Sequence, residues 1–311
     1  MSAVAEKKLL VAVDGSSRSN DTVKYLAQTP SFGRMQIHLF HVFAAVPDIC
    51  WDLEREPAAI SNASLLHAWE SQHRAEIEQH MQKCKDILLA YDVHPKNIHI
   101  HIHKRSMGVA RDIMAEARQG YAALVLRRRG MTKLQQLVMG STAMKLLNNL
   151  HDVPLIFAGR KPGNTRVLIA FDGSENAMRA VAFAAAMLMP GHHSVLLAGV
   201  LRLHSDEEGH APGNETEKGK FQLPLDPLNE RFTQAVARLR SRGFNADSIQ
   251  SRIVSNASSR AGTLLELAQQ EDVGTIIVGR KGHTRVEAFA MGRVSTKILQ
   301  LGAAYTVWVV N

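Results

Sequence analysis

Apolar residues in this chain fall into two patterns. Some form short unbroken runs; others recur every three or four positions along longer stretches. Leu9–Val13 and Val167–Phe171 are unbroken runs, each closed by Asp-Gly-Ser. Runs of this length ending in a turn signal predict strands buried on both faces. A helical stretch follows each: Val23, Leu26 and Ala27 in the first, Ala177–Met189 in the second. Thr29-Pro30 and Pro190-Gly191 stop them. Second strands are predicted at Ile37–Phe43 and Val195–Leu201, and a polar segment follows, His204–Lys220 in the second copy, which reads as a mobile loop. Next comes a helix with Ile77, Met81, Cys84 and Leu88 on one buried stripe, matched by Phe232, Val236 and Leu239. A third strand ("IHIHIH" or "IQSRIV"), a short helix, a fourth strand ("ALVL" or "TIIV"), a glycine segment, a last helix and a final strand ("VPLIF" or "YTVWVV") complete each copy. In the second copy the last helix is expected over about Val294–Leu301, capped by Gly302.

The chain therefore repeats itself. "KKLLVAVDGSSRS" matches "TRVLIAFDGSENA", and Arg127, Gly130 and Gly140 align with Gly279, Gly282 and Gly292 at one constant offset. The junction "AGRKPGNTR", Ala158–Arg166, has the Pro and Gly content of a short linker. Two domains are expected, residues 1–159 and 165–311. Strands alternating with helices imply parallel pairing with helices on both faces. Each half is thus read as a doubly wound α/β domain built on a five-stranded parallel sheet. In such sheets ligands bind at the carboxyl ends of the strands, where the strand order reverses. Asp14 and Asp172 lie just past the first strand of each half, and the glycine segment lies just past the fourth.

Composition narrows the function. The 311 residues are 45% apolar and 21% charged, with no apolar run long enough to span a bilayer and no secretory leader at the N-terminus. Two cysteines, Cys50 and Cys84, make no disulfide framework, so a reducing cytoplasm is the expected compartment. The net charge of +8 is not gathered into a tail; its one dense cluster is Arg127–Arg129. This points away from nucleic acid and membrane as partners. The arginine cluster is either an anion contact or a solvated loop. Neither G-x-x-x-x-G-K-[ST] nor G-x-S-x-G occurs, and no nucleophile has an assignable base. Trp51 and Trp69 read as packing residues. His99, His101 and His103 share one face of a strand; a metal chelate is one reading, and an edge strand with isoleucines inward and histidines outward is the other.

Gly279, Gly282 and Gly292 allow two readings: ordinary turns, or a backbone cradle for phosphate beside a helix N-terminus. The recurrence of the segment, together with Asp-Gly-Ser at the matching strand end, resembles the universal stress protein family in a tandem form, over essentially the whole chain. The most specific part is G-x2-G-x9-G-[S/T]. The resemblance implies an adenine nucleotide alpha-hydrolase-like fold. It implies that this segment holds the ribose and phosphates of ATP and that the Asp lies by the adenosine; Asp14 and Asp172 could hold magnesium on bound phosphates, but no second carboxylate has a predictable place beside them. A Val of the second strand would meet the base through its backbone. In the second half these residues are Asp172, Val200, Gly279, Gly282 and Gly292, with Arg293 where the family has Ser or Thr and Ser295 two residues on. In the first half they are Asp14, Val42, Gly130, Gly140 and Ser141, with Arg127 in place of the first glycine. Arg127 is expected to obstruct its site, so the second half is the favoured one.

The function expected is a cytoplasmic tandem stress protein that binds an adenine nucleotide as a regulatory ligand. A scaffold with two degenerate sites and no nucleotide is the alternative, and a slow ATPase is the third reading. Single family domains pair through their last strand, so the resemblance also implies that the two halves form an intramolecular pseudo-dimer.

Overall fold

A computed structural model describes residues 7–44, 63–127, 140–160, 165–202, 225–282 and 291–311. The chain divides into two compact units, Met1–Gly163 and Asn164–Asn311. In the first unit the order is β1 (Lys8–Ala12), α1 (Ser19–Gln28), β2 (Gln36–Phe43), α2 (Ala63–Ala90), β3 (Ile98–Lys104), α3 (Val109–Ala117), β4 (Ala123–Arg127), α4 (Ser141–Asn149) and β5 (Leu155–Ala158). The second unit runs β6 (Arg166–Ala170), α5 (Glu175–Met187), β7 (Ser194–Arg202), α6 (Leu225–Arg240), β8 (Ile249–Ala257), α7 (Arg260–Gln270), β9 (Thr275–Gly279), α8 (Arg293–Leu301) and β10 (Thr306–Val310).

Each unit has a parallel sheet, ordered β3-β2-β1-β4-β5 in the first and β8-β7-β6-β9-β10 in the second. The chain winds outward through three strands and then returns to the other side of the first. Right-handed crossovers therefore place the first two helices on one face and the next two on the other. The contacts agree: α1 packs with α2 and α3 with α4, and α5 packs with α6 and α7 with α8. The doubly wound architecture read from the sequence is the one observed.

Why these runs become strands is visible in their burial. Leu9, Leu10 and Val11 are completely buried, as are Leu168 and Ile169. Each such side chain contributes about 1.5–3 kcal/mol relative to exposure. Trp308 of β10 is buried edge-on against Phe183 of α5. The predicted stripe Ile77, Met81, Cys84 and Leu88 is buried along α2. Ser174 starts α5 by accepting a bond from the Ala177 N–H at 3.2 Å, and Ser259 starts α7 on Gly262 in the same way. Gly302 does end α8, but with φ −81° it is not a left-handed cap. Glycine is required there because a Cβ would stand 2.7 Å from the Ile298 carbonyl oxygen.

The histidine strand departs from the isoleucine-in, histidine-out expectation. β3 is the outer strand of its sheet, where neither face is fully covered. Ile100 is exposed, His99 is half-buried, and His99 and His101 both stack on His38 of β2. No group of three or more His, Cys, Asp or Glu among the described residues is arranged to hold a metal ion. No described helix is long and apolar enough to cross a membrane.

Candidate functional site

In the second unit the sheet reverses between β6 and β9, and their register sets the site. Ala170 lies opposite Val278, so Asp172 and the segment after Gly279 leave the sheet side by side. Gly173 turns the chain at φ +79°, and Asp172 Oδ1 accepts the Ser174 N–H at 3.0 Å. The other carboxylate oxygen lies against Gly282, where a Cβ would stand 2.3 Å from Oδ2. Gly279 is required for a different reason: a Cβ there would meet the backbone carbonyl carbon of Asn176, in the first turn of α5, at 2.8 Å. Asn176 Nδ2 in turn donates to the Lys281 carbonyl at 2.8 Å, tying that turn to the glycine segment.

The segment closes on itself at Gly292, whose N–H donates to the Arg280 carbonyl at 2.8 Å. Gly292 is the N-cap of α8 and supplies no side-chain cap, and among the described residues no side chain caps the first turn of the helix. Arg293, the first helical residue, is exposed. Ser295 is buried and donates its hydroxyl to the Gly279 carbonyl at 2.7 Å. It therefore braces the cradle from behind, a role its spacing did not disclose. Val200 is half-buried on β7, two residues past the Ala170–Ala198 pair, beside Gly199, whose α-carbon lies against Phe232 and the Phe171 carbonyl. Arg280 is buried and bonds the Asn311 side chain; burial pushes its guanidinium down to about 10, so it keeps its charge at neutral pH.

The first unit builds the same frame and lines it differently. Asp14 Oδ1 accepts the Ser16 N–H at 3.1 Å, the Ser16 hydroxyl at 2.7 Å and the Ser19 hydroxyl at 2.6 Å. Burial pushes this carboxyl up, but the Ser19 and Ser16 bonds and the Arg127 charge outweigh it and hold it below its ordinary value. Arg127 ends β4 where the second unit has Gly279, and its half-buried guanidinium lies in the field of Asp21 and Asp14. His41, at the position of Gly199, is buried with Nδ1 2.8 Å from the Val13 carbonyl, and burial pushes its imidazole down. From α2, His80 and Cys84 approach within 3.6 Å of each other, and burial followed by the Asp14 charge pushes the Cys84 thiol up to about 11. Val42 is buried on β2. Gly140 caps α4 without a side-chain bond, and Ser141 follows, exposed. Gly130 lies outside the described residues, as do Arg128, Arg129, Trp51 and the segment His204–Lys220.

The structure brings Asp172, Gly282 and Gly292 to the segment that leaves β9 and sets Asp14 in the field of Arg127. Sequence reasoning missed Asn176, Ser174 and Ser19, which fasten those turns, and His41, which is buried against the Val13 carbonyl. The signal for the last was present: His41 and Gly199 are aligned one residue before Val42 and Val200.

A profile of the universal stress protein family matches residues 6–153 and again 163–311. A universal stress protein from Mycolicibacterium smegmatis is 30% identical over 176 residues, 55% of this chain and 56% of that protein. The alignment thus spans little more than half the length of that curated relative. Two solved structures share the fold over nearly the full length. A universal stress protein from Archaeoglobus fulgidus superposes with a TM-score of 0.64 at 16% identity, covering 97% of both chains. A putative universal stress protein from Pseudomonas aeruginosa gives 0.55 at 13%, covering 98% of this chain and 93% of that one. With two family matches in tandem and the doubly wound fold in each half, the chain belongs to the universal stress protein family.

Proposed function

We propose that the second unit binds an adenine nucleotide, ATP, as a regulatory ligand, and that the protein acts in the stress response of the cytoplasm through conformation and partners instead of turnover. The observation that carries this reading is the pairing of Asp172 with Gly282 at the switch point. A carboxylate lies directly against the backbone of a glycine, at the start of the segment that leaves β9. That arrangement fits the two ends of a nucleotide. Asp172 would accept the hydroxyls of the ribose, and the β7 backbone at Val200 would meet the base. Gly282, Gly292 and the uncapped start of α8 would hold the phosphates through N–H groups and the positive end of the helix dipole. Arg293 would add a fixed charge there, and Ser295 with Gly279 would keep the cradle in shape. Magnesium, arriving with the phosphates, would find the Asp172 carboxylate at the cradle.

In the first unit Arg127, His41, His80 and Cys84 all lie in the field of Asp14, the counterpart of Asp172, which supports one occupied site per chain. Titration calorimetry of the intact protein with ATP tests both points. A stoichiometry near one, lost on changing Gly282 and kept on changing Gly130, is expected. Two equal sites, or no binding at all, would overturn the reading. Phosphate release followed over hours in the same samples tests the absence of turnover.

A further inference from the structure

The first unit carries a second cluster, remote from the carboxyl ends of its strands and from any nucleotide. The β2–β3 register sets His38 beside His99, and Phe40 beside His101. The His38 ring stacks on His99 at 4.4 Å between centroids and on His101 at 5.2 Å. His38 Nδ1 and His101 Nε2 are 3.1 Å apart, so one ring donates and the other must keep a bare nitrogen. The Nε2 atoms of His38 and His99 are buried with no hydrogen-bond partner among the described residues. A proton on either would create a charged donor with nothing to receive it.

The surroundings offer no relief. The charge acting on His38 besides the other imidazoles is Lys8 of β1. Tyr121 meets His38 edge-on, but its hydroxyl already engages the α3 carboxylate Glu116 at 2.6 Å. Asp112 of α3 is held by Ser106 and the Met107 N–H. Arg34, Lys96 and Arg111, on the other elements packed against β2, are exposed and positive. His94 is bonded to the Lys96 N–H, and Glu70 of α2 pairs with Lys104 at the far end of β3. Burial first, then His99, His101 and Lys8, push the His38 imidazole down to about 4.

We propose that β3 is an acid-released edge strand, latched at neutral pH by the stack of His38 on His99 and His101. The folded state resists protonation, so the latch is complete above about pH 6.5, the ordinary histidine value, and loosens as pH falls toward 4. Release bares the backbone edge of β2 together with the buried Ile37 and Leu39, a surface ready to pair with another strand.

Hydrogen exchange of the Ile98–Lys104 amides in the full chain, from pH 7.5 to 4 and corrected for intrinsic exchange, tests this. One linked proton raises the opening constant about tenfold per pH unit. Because His38 and His99 are only half-buried and His101 is exposed, solvent screens part of that effect, and a rise of at least about tenfold between pH 6.5 and 4.5 is expected. The β1 and β4 amides should stay protected. His38→Phe keeps a stacked ring without a titrating nitrogen and should flatten the pH dependence. Should that variant not fold, His101→Gln, which removes the 3.1 Å partner, is expected to flatten it in part. Ring titration by NMR should place His38 well below 6.5. The proposal fails if wild-type β3 exchange shows no extra opening down to pH 4.5. It also fails if the folded variants keep the wild-type dependence, or if all three rings titrate independently near 6.5.

Discussion

Gly282→Ala is the smallest change that addresses the proposed site. The glycine adopts no positive φ, so alanine brings no backbone strain. What it brings is one methyl group, placed 2.3 Å from Asp172 Oδ2. That distance is too short for any carbon–oxygen contact, so the carboxylate must rotate away. In doing so it strains or loses the bond that Oδ1 accepts from the Ser174 N–H. The exposed turn should lose about 1 kcal/mol of stability at most, since Asp172 can hydrate instead. The effect on binding should be larger. A displaced Asp172 forfeits its bonds to the ligand, and the methyl group holds the phosphates off the backbone N–H groups. Bonds of this charge-assisted kind contribute about 1.5–3 kcal/mol, so ATP affinity should fall about ten- to a hundredfold. Calorimetry on Gly282→Ala, with Gly130→Ala as the control in the other unit, is the assay. Chemical denaturation alongside it shows whether the fold is intact. Unchanged ATP affinity in a folded Gly282→Ala protein would refute the placement of the ligand. An equal loss in Gly130→Ala would refute the ranking of the two units.

Three further outcomes are expected. Arg293→Glu should weaken ATP at least tenfold and adenosine hardly at all, because it reverses a charge at the positive end of α8, and Arg293→Ser should cost less; calorimetry with ATP, ADP and adenosine compares them. Ser295→Ala leaves the half-buried Gly279 carbonyl without its 2.7 Å donor and should destabilise the protein by about 1 kcal/mol in urea unfolding, with nucleotide affinity falling only secondarily. In a Cys50→Ser background the Cys84 thiol, pushed up to about 11 and fully buried, should resist an aromatic disulfide reagent at pH 8 until the chain is unfolded; rapid modification of the native protein would show that α2 does not bury it.

The strands were legible because parallel strands covered on both faces must be continuously apolar, and Leu9–Val13 and Val167–Phe171 are just that. The repeat supplied the rest, since two weak patterns in the same order are harder to misread than one. The misreadings concern partners distant in sequence. Ser295 looks like a phosphate hydroxyl two residues late, yet it turns inward, because the carbonyl of Gly279 lies beneath the first turn of α8. The alternation in "NIHIHIH" suggests a simple inside and outside. His38, sixty residues earlier in a different strand, decides otherwise by giving His99 and His101 something to stack on. Gly302 looks like a left-handed cap and is instead a close-packed neighbour of Ile298.

The two crevices show how a duplicated frame takes two chemistries with few changes. The turn after the first strand is nearly the same in both: Gly15 at φ +76° and Gly173 at +79°, each behind an aspartate that bonds the serine two residues on. The glycine cap survives on α4 and on α8. What differs is what points into the space. At one aligned pair the second unit has Gly199 and the first His41; at another it has Gly279 and the first Arg127. Gly279 is pinned by the Asn176 backbone, which a Cβ would meet at 2.8 Å, and Gly199 is packed under the Phe232 ring, which a Cβ would meet at 3.0 Å, so a larger side chain at either position requires its neighbours to shift. The first unit has accepted both. Arg127 is stabilised by Asp14 and Asp21, and Asp14 is itself spoken for by Ser16 and Ser19. Asp14 takes three bonds on Oδ1 with an arginine beside it, whereas the Oδ2 of Asp172 lies against Gly282. Arg127→Gly alone should therefore not restore a nucleotide site in the first unit. His41 would still be buried against the Val13 carbonyl where the second unit has Gly199 packed under Phe232, and the double change Arg127→Gly with His41→Gly is the one expected to raise the ATP stoichiometry measured by calorimetry above one.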